Sequence, residues 1–242
     1  LNEVSKTKAK KIAILPEHVR LDDITSKITD IKNVPIGIEK DSLEISTFNF
    51  NKNPISLVSA QDSSFLDKFI PSLGQVFQNI NGEELYMIDP NENIKDSSTF
   101  KNYYGSNYTD ILNKFEEISN NNNGLTNVFI IHSIESLKNG LSSEEQTKLK
   151  KLLLEIKTKP HIKVVFADAV SKIKGFEYDE FYRDNVQPIY GIWIGSGITD
   201  QFTIKSSTYN KETRSQIPND FGYNIDRGNA KLIKLLDFYS KD

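Results

Sequence analysis

Phosphate chemistry has a natural place in this chain, at the junction between an apolar run and an amphipathic one. Pro54-Ile55-Ser56-Leu57-Val58 reads as a buried parallel strand, Phe65-Leu66-Asp67-Lys68-Phe69-Ile70 opens an amphipathic helix, and Ser59-Ala60-Gln61-Asp62-Ser63-Ser64 joins them. Such a junction grips a triphosphate when it reads G-x-x-x-x-G-K-[ST]. The glycines let backbone N–H groups wrap the phosphates, Lys neutralises the terminal ones, and Ser/Thr holds Mg²⁺. Here Ala60 stands at the first glycine, Gln61, Asp62, Ser63 and Ser64 at the variable positions, Phe65 at the second glycine, Leu66 at the Lys and Asp67 at the Ser/Thr. Shifting the register by one or two restores no Gly-Lys pair, because Lys68 is already inside the helix, and Asp62 would put a negative charge where phosphates sit. The expectation is no bound cofactor; the alternative is weak ATP/Mg binding through backbone amides at Ser59 to Ser64 and the helix N-terminus.

Other residues invite chemical readings. His132 follows the apolar run Asn127-Val128-Phe129-Ile130-Ile131, at a strand end where it could ligate a metal or act as a general base. The only other histidines are His18 and His161, there is no H-x-x-x-H spacing and there is no cysteine, so the reading is a packing or surface histidine and no metal site. Gly195-Ser196-Gly197 after a strand suggests a nucleotide cradle, but without the full dinucleotide fingerprint it reads as a tight loop. Arg183 can be read as an arginine finger toward a neighbouring motor domain, or as a solvated or ion-paired surface residue. Two aromatic clusters, Tyr103, Tyr104 and Tyr108, then Phe176, Tyr178, Phe181 and Tyr182, fall in polar, irregular stretches. They are candidate partner-binding contacts, beside the equal possibility that their loops fold back and bury them.

The elements that must position these residues alternate. After a hairpin over residues 34–50 with its turn at Lys40-Asp41-Ser42, strands are expected at 54–58, 84–90, 127–131, 161–168 and 189–194, with helices near 63–80, 108–119, 142–157 and 178–185. Ser142 three before Glu145 is a capping box, and the tail from Phe221 reads as a closing hairpin. Strand–helix alternation of this kind builds a mainly parallel sheet covered by helices on both faces, a RecA-like α/β core with an opening β-hairpin. Residues 1–32 read as a Lys-rich connector with one short apolar strand over 12–15, and 33–242 as one domain.

Composition narrows the partners. A net charge of -3 and a sequence pI near 5.8 give no broad basic face for nucleic acid. No run approaches the roughly 18 to 20 apolar residues of a membrane span, so no direct membrane insertion by this chain is expected. Its first residue is Leu1, not Met, which leads us to expect a piece of a larger protein that carries any anchor elsewhere.

Four segments resemble a family: Ile14-Leu15-Pro16-Glu17; Val34-Pro35-Ile36-Gly37-Ile38-Glu39-Lys40-Asp41-Ser42-Leu43; Ile131-His132-Ser133-Ile134-Glu135-Ser136-Leu137; and Gly191-Ile192-Trp193-Ile194-Gly195-Ser196-Gly197-Ile198-Thr199-Asp200-Gln201. In this order they are similar to a Pro-Glu connector, a "PIGI…D" hairpin, an "IDDIESL" Walker B strand and a late strand-and-loop. These are features of FtsK/SpoIIIE-type ATPase domains, in particular the C-terminal (third) such domain of the EssC family, the membrane-bound motor of type VII secretion. The resemblance implies a Walker B strand ending in two acidic residues, one on the Mg²⁺ shell and one polarising the attacking water. This chain departs from it with His132 and Ser133, and Glu135, which could replace the lost base, lies past the strand. The resemblance therefore implies a degenerate, non-catalytic ATPase domain acting in substrate recognition or regulation of adjacent motor domains, with an atypical ATPase or a DNA translocase as alternatives. It implies secreted WXG-type helical-hairpin proteins, effector or chaperone proteins and neighbouring motor domains as partners, allows a hexameric parent, and places that parent at the cytoplasmic face of a bacterial membrane.

Overall fold

The computed structural model describes residues 14–238. Among them one sheet holds β1 (Val34–Glu39), β2 (Ile45–Phe48), β3 (Ile55–Ala60), β4 (Glu83–Ile88), β5 (Tyr103–Tyr104), β6 (Thr126–Ile131), β7 (Ile162–Ala169), β8 (Gly191–Ile194), β9 (Phe221–Asp226) and β10 (Asn229–Leu235). Their spatial order is β2-β1-β10-β9-β8-β3-β7-β6-β4-β5. From β8 to β5 every pairing is parallel; from β8 to β2 every pairing is antiparallel. The helices are α1 (Leu21–Ile24), α2 (Phe69–Gln78), α3 (Tyr108–Asn120), α4 (Ile134–Gly140), α5 (Ser143–Glu155), α6 (Val170–Lys174) and α7 (Glu180–Asn185).

Parallel strands need crossovers, and crossover helices bury both faces of the sheet, which is why β3 and β7 are buried along their whole length. Leu57, Phe129, Phe166 and Trp193 point to one face, beneath Phe115 of α3, Leu137 of α4, Leu153 of α5 and Phe181 of α7. Val58, Ala60, Val165 and Ile194 point to the other, beneath Phe69, Leu73 and Phe77 of α2. This is the mainly parallel sheet with helices on both faces and an opening hairpin that the sequence predicts. Its consequence for function is positional: the C-terminal ends of β3, β7 and β6 lie side by side, the edge where open α/β sheets place their ligands.

Three elements differ from expectation. The helix predicted over 63–80 begins as a 3₁₀ turn, Ser63–Leu66, and becomes α-helical only at Phe69. Pro71 explains the break, since it has no N–H to donate to the carbonyl of Asp67 and fits only in the first α-helical turn. The polar stretch 91–106 contains β5, two residues long and therefore below the reach of any periodicity argument. Part of the strand predicted over 12–15 lies outside the described residues, and Ile14 and Leu15 are not in a strand; the segment that follows instead forms α1 and an isolated bridge, Val19 to Leu236.

At the opposite, N-terminal edge of the sheet, Glu83 begins β4 with one carboxylate oxygen, Oε2, buried and without a hydrogen-bond partner. Burial pushes its pKa up to about 7, only partly offset by a hydrogen bond with Thr126 and by the charge of Lys163. A carboxyl raised in this way binds its proton more tightly folded than unfolded, so its contribution to stability falls as pH rises from the ordinary 4.5 to about 7. Glu83→Gln removes that slope. It is expected to raise the melting temperature above that of the wild type at about pH 8 by a few degrees, roughly 1 kcal/mol after allowing for its partial exposure, with no gain near pH 4.5. Thermal melts of both proteins across this range check it.

Candidate functional site

Only Gln61 and Asp62 separate the end of β3 from the 3₁₀ turn. That is too short a path to wrap a phosphate, and the turn's first polar group already has an anion. The Asp62 carboxylate accepts the backbone N–H of Ser64 at 2.9 Å and the Ser64 hydroxyl at 2.8 Å, and these two hydrogen bonds lower its pKa. A side-chain carboxylate thus occupies the helical-turn donor that would otherwise face a phosphate. Leu66, at the position of the lysine, is fully buried in the core beneath α2, and Phe65, at the second glycine, packs against the same core.

The strand ends complete the arrangement. His132, directly after β6, is 1% exposed; its Nε2 lies 3.1 Å from Oδ1 of Asp67 and its Nδ1 3.3 Å from the carbonyl oxygen of Ala167. Both ring nitrogens face acceptors, so the doubly protonated imidazolium is the form that satisfies both. Burial by itself disfavours that charge, but the Asp67 hydrogen bond, the negative Asp89 and the Ala167 carbonyl outweigh it, and the His132 pKa is raised. The two positions that would share a magnesium ion in an active site are therefore joined directly, with an imidazolium supplying the positive charge.

Beside this pair the hydroxyl of Ser133 donates to Oδ2 of Asp168, a fully buried carboxylate at the end of β7. The other oxygen of Asp168 accepts the N–H of Ala169 at 2.8 Å and lies 3.5 Å from Nζ of Lys172, which reaches Ser63 in the 3₁₀ turn at 3.4 Å. Asp89, buried after β4, accepts from the N–H of Ile94 at 2.8 Å and the Tyr103 hydroxyl at 3.1 Å, while its Oδ1 has no partner. Asp89, Asp168 and Lys172 went unsingled in the sequence. The signal was present, since each aspartate closes an apolar strand run at the ligand edge and Lys172 follows Asp168 by one helical turn.

These residues do not fit Mg-ATP. The junction offers a carboxylate in place of phosphate-binding amides, an aliphatic side chain in place of the lysine, and a metal position closed by Asp67 and His132. The cleft nearest to it, about 370 Å³, is lined by Phe65, Phe69, Leu235 and Leu236 together with Lys68, Asp220 and Asp237. The Gly195-Ser196-Gly197 turn braces the junction, with Gln61 Nε2 donating to the Gly197 carbonyl at 3.5 Å. Gly195 and Gly197 have φ of 75° and 86°, and a Cβ on Gly197 would come within 2.8 Å of Gln61, so the turn is tight, as its sequence predicts.

The aromatic candidates separate. Phe176 and Phe181 are buried and pack with Phe166, ring centroids 6.1 to 6.5 Å apart, and Tyr182 is 6% exposed. All three are turned into the core, Phe181 and Tyr182 because α7 packs its aromatic face against α5, and Phe176 because the turn after α6 folds it onto Phe166 and Phe181. Tyr103 and Tyr104 are half-buried in β5 and Tyr108 lies against Gly140, whereas Tyr178 is 90% exposed. Two exposed aromatics outside the predicted clusters, Phe202 and Tyr209, are 82% and 71% exposed. Arg183 is exposed on α7, and Glu135 sits in the first turn of α4. Among the described residues no three His, Cys, Asp or Glu side chains form a metal cluster, and no helix is long and apolar enough to cross a membrane.

No protein-family model and no curated protein matches the sequence. Solved structures do match. EssC (ATPases 2 and 3) from Geobacillus thermodenitrificans is 16% identical with a TM-score of 0.65, covering 93% of this chain and 45% of that one. Thermomonospora curvata EccC (ATPases 2 and 3), in complex with a signal sequence peptide, is 16% identical at a TM-score of 0.67, covering 95% and 45%. The pCW3 conjugation coupling protein TcpA, in a monomer form with ATPγS, is 15% identical at 0.63, covering 93% and 71%. This chain spans less than half the length of the EssC and EccC structures. The likeness establishes a RecA-like α/β fold of the ATPase type, and the structures that share it include the domains that the four sequence segments resemble.

Because the His132 pKa is raised above 6.5, the stabilisation from its pairing with Asp67 is complete below that pH and is lost as pH rises through the folded value. Asp67→Asn is expected to lower unfolding stability by about 1 kcal/mol near pH 6, with the deficit shrinking toward about pH 9. Urea unfolding of both proteins at the two pH values checks it.

Proposed function

We propose that this chain is a non-catalytic ATPase-fold domain of a type VII protein secretion motor, acting in substrate recognition, in regulation of the adjacent motor domains, or in both. The observation that carries this reading is the direct Asp67–His132 contact across the metal position. Phosphoryl transfer depends almost wholly on positioning and neutralising the charge of a triphosphate. A junction that has filled its cation position with its own imidazolium and its anion position with Asp62 has little to gain from a nucleotide.

What remains is a stable scaffold with outward-facing surfaces. The signal sequence peptide bound to EccC supports peptide-bearing secretion substrates as partners, in keeping with WXG-type helical hairpins and with effectors or their chaperones. The pairing of two ATPase domains in one EssC chain supports a neighbouring motor domain as the other partner. In this setting the domain works at the cytoplasmic face of a membrane to which other parts of its motor are anchored.

Calorimetric titration of the purified chain with Mg-ATP tests the reading. No heat of binding is expected up to millimolar nucleotide. Binding with a micromolar dissociation constant, about -8 kcal/mol, would overturn it in favour of an atypical nucleotide-binding domain.

A further inference from the structure

Three asparagines in this chain are followed by glycine, in Asn81-Gly82, Asn123-Gly124 and Asn139-Gly140, and all six residues are exposed. Such a step carries its own chemistry. The backbone nitrogen of the glycine attacks the side-chain carbonyl carbon of the asparagine, because no Cβ on the following residue crowds the approach. The attack needs an amide nitrogen free of hydrogen bonds, a side chain free to rotate, and room for a five-membered ring. The fold grants these conditions unequally.

Asn139 and Gly140 end α4, where helical ψ turns the Gly140 nitrogen away from the Asn139 side chain and the helical ladder takes its N–H. Space is short there too, since the ring of Tyr108 lies 2.4 Å from where a Cβ on Gly140 would be. Asn123 is held by its neighbours. Its Nδ2 donates to Oε2 of Glu84 and to Oδ1 of Asn127, both at 3.3 Å, while its Oδ1 accepts the Leu125 N–H at 3.1 Å and Asn127 Nδ2 at 3.2 Å. The nitrogen that would attack, on Gly124, already donates to Oδ1 of Asn122 at 2.9 Å.

Asn81 and Gly82 form the turn between α2 and β4. Among the described residues neither the Asn81 side chain nor the Gly82 N–H has a hydrogen-bond partner. Gly82 has a φ of 85°, and no atom lies within 4 Å of where its Cβ would be. The next groups in the chain are committed. The Gly82 carbonyl accepts the Thr126 N–H at 3.0 Å, where the β4–β6 ladder begins, and Glu83 follows with one buried, unpartnered carboxylate oxygen.

We propose that Asn81 is a site of spontaneous deamidation and isomerisation in the native protein, and that the fold protects the other two Asn-Gly steps. The Gly82 nitrogen forms a bond to Cγ of Asn81, the Cγ–Nδ2 bond breaks, and Nδ2 leaves as ammonia with the proton lost by Gly82. Water then opens the resulting succinimide. Breaking the bond between the Gly82 nitrogen and Cγ gives Asp; breaking the one to the main-chain carbonyl carbon gives isoAsp. Either product adds a carboxylate two residues before Glu83. IsoAsp also lengthens the main chain by one methylene just ahead of the Gly82 carbonyl, which pulls the first β4–β6 hydrogen bond out of register. The sheet therefore ages from its N-terminal edge, opposite the edge that carries Asp67 and His132.

The test follows the purified chain through storage in mildly alkaline buffer, folded and in urea. Fragmentation mass spectrometry of its peptides places each amide-to-acid conversion and separates Asp from isoAsp. In the folded chain Asn81 is expected to convert about tenfold faster than Asn123 or Asn139, which must first open locally. In urea the three rates should converge. Asn81→Gln, whose longer side chain closes the corresponding ring far more slowly, should remove the native conversion without changing the initial melting temperature. Stored wild type should lose melting temperature in step with its isoAsp content, and stored Asn81→Gln should keep it. The proposal is overturned if Asn81 stays intact in the folded chain, if Asn123 or Asn139 converts there as fast, or if isoAsp accumulates at Asn81 with no change in melting temperature. An equal loss of melting temperature in stored Asn81→Gln would overturn it as well.

Discussion

A contact of 3.1 Å between the imidazole of His132 and the carboxylate of Asp67 sets the character of this molecule. It ties the loop after β6 to the start of the helical segment after β3, two elements that a bound metal and nucleotide would otherwise hold together. Buried charge is tolerated only when it is balanced. The negative charges of Asp67 and Asp89 supply the balance for the imidazolium, and Lys172 does the same for Asp168. The ligand edge of the sheet is therefore largely closed upon itself: Asp67, His132, Ser133 and Asp168 are engaged by neighbours, and Asp89 by one of its two oxygens.

That closure is spread over several elements. Asp62 is spent on the turn that follows it, Ser133 on Asp168, Tyr103 on Asp89, and Gln61 on the glycine turn after β8. Because the partners come from different strands, changing one of them back toward a phosphate-binding residue would leave another buried group without its mate. The network is a reason why scaffold and chemistry are separable here: the sheet keeps the geometry of an ATPase while its polar edge serves cohesion.

Much of this was legible in the sequence. Alternation of apolar runs with helical periodicities gave the parallel sheet, and the residue types at 60–67 and 132–133 depart from the phosphate- and metal-binding pattern that the resemblance implies. What those residues do instead was not legible, because the Asp67–His132 and Ser133–Asp168 pairings join positions 65 and 35 residues apart and depend on strand order. The aromatic stretch 176–182 was left open between contact and burial for a different reason. A short helix was expected over 178–185, but helices as short as α7 give too few turns for periodicity to separate a buried face from an exposed one, and three of the four rings face inward. Phe202 escaped notice because nothing local marks a lone phenylalanine as uncovered.

The antiparallel extension has a mechanical side. The opening hairpin pairs with the last strand through β1 and β10, and Val19 bridges Leu236, so the two ends of the described chain leave the sheet next to each other. Tension applied through both ends meets this seam before it reaches any parallel strand. Gly37 lies in the seam, where a methyl group would fall 2.1 Å from the carbonyl oxygen of Lys234, so the two strands are in closest approach where the load would arrive. A body fastened in this way can give at its margin while its centre keeps its shape.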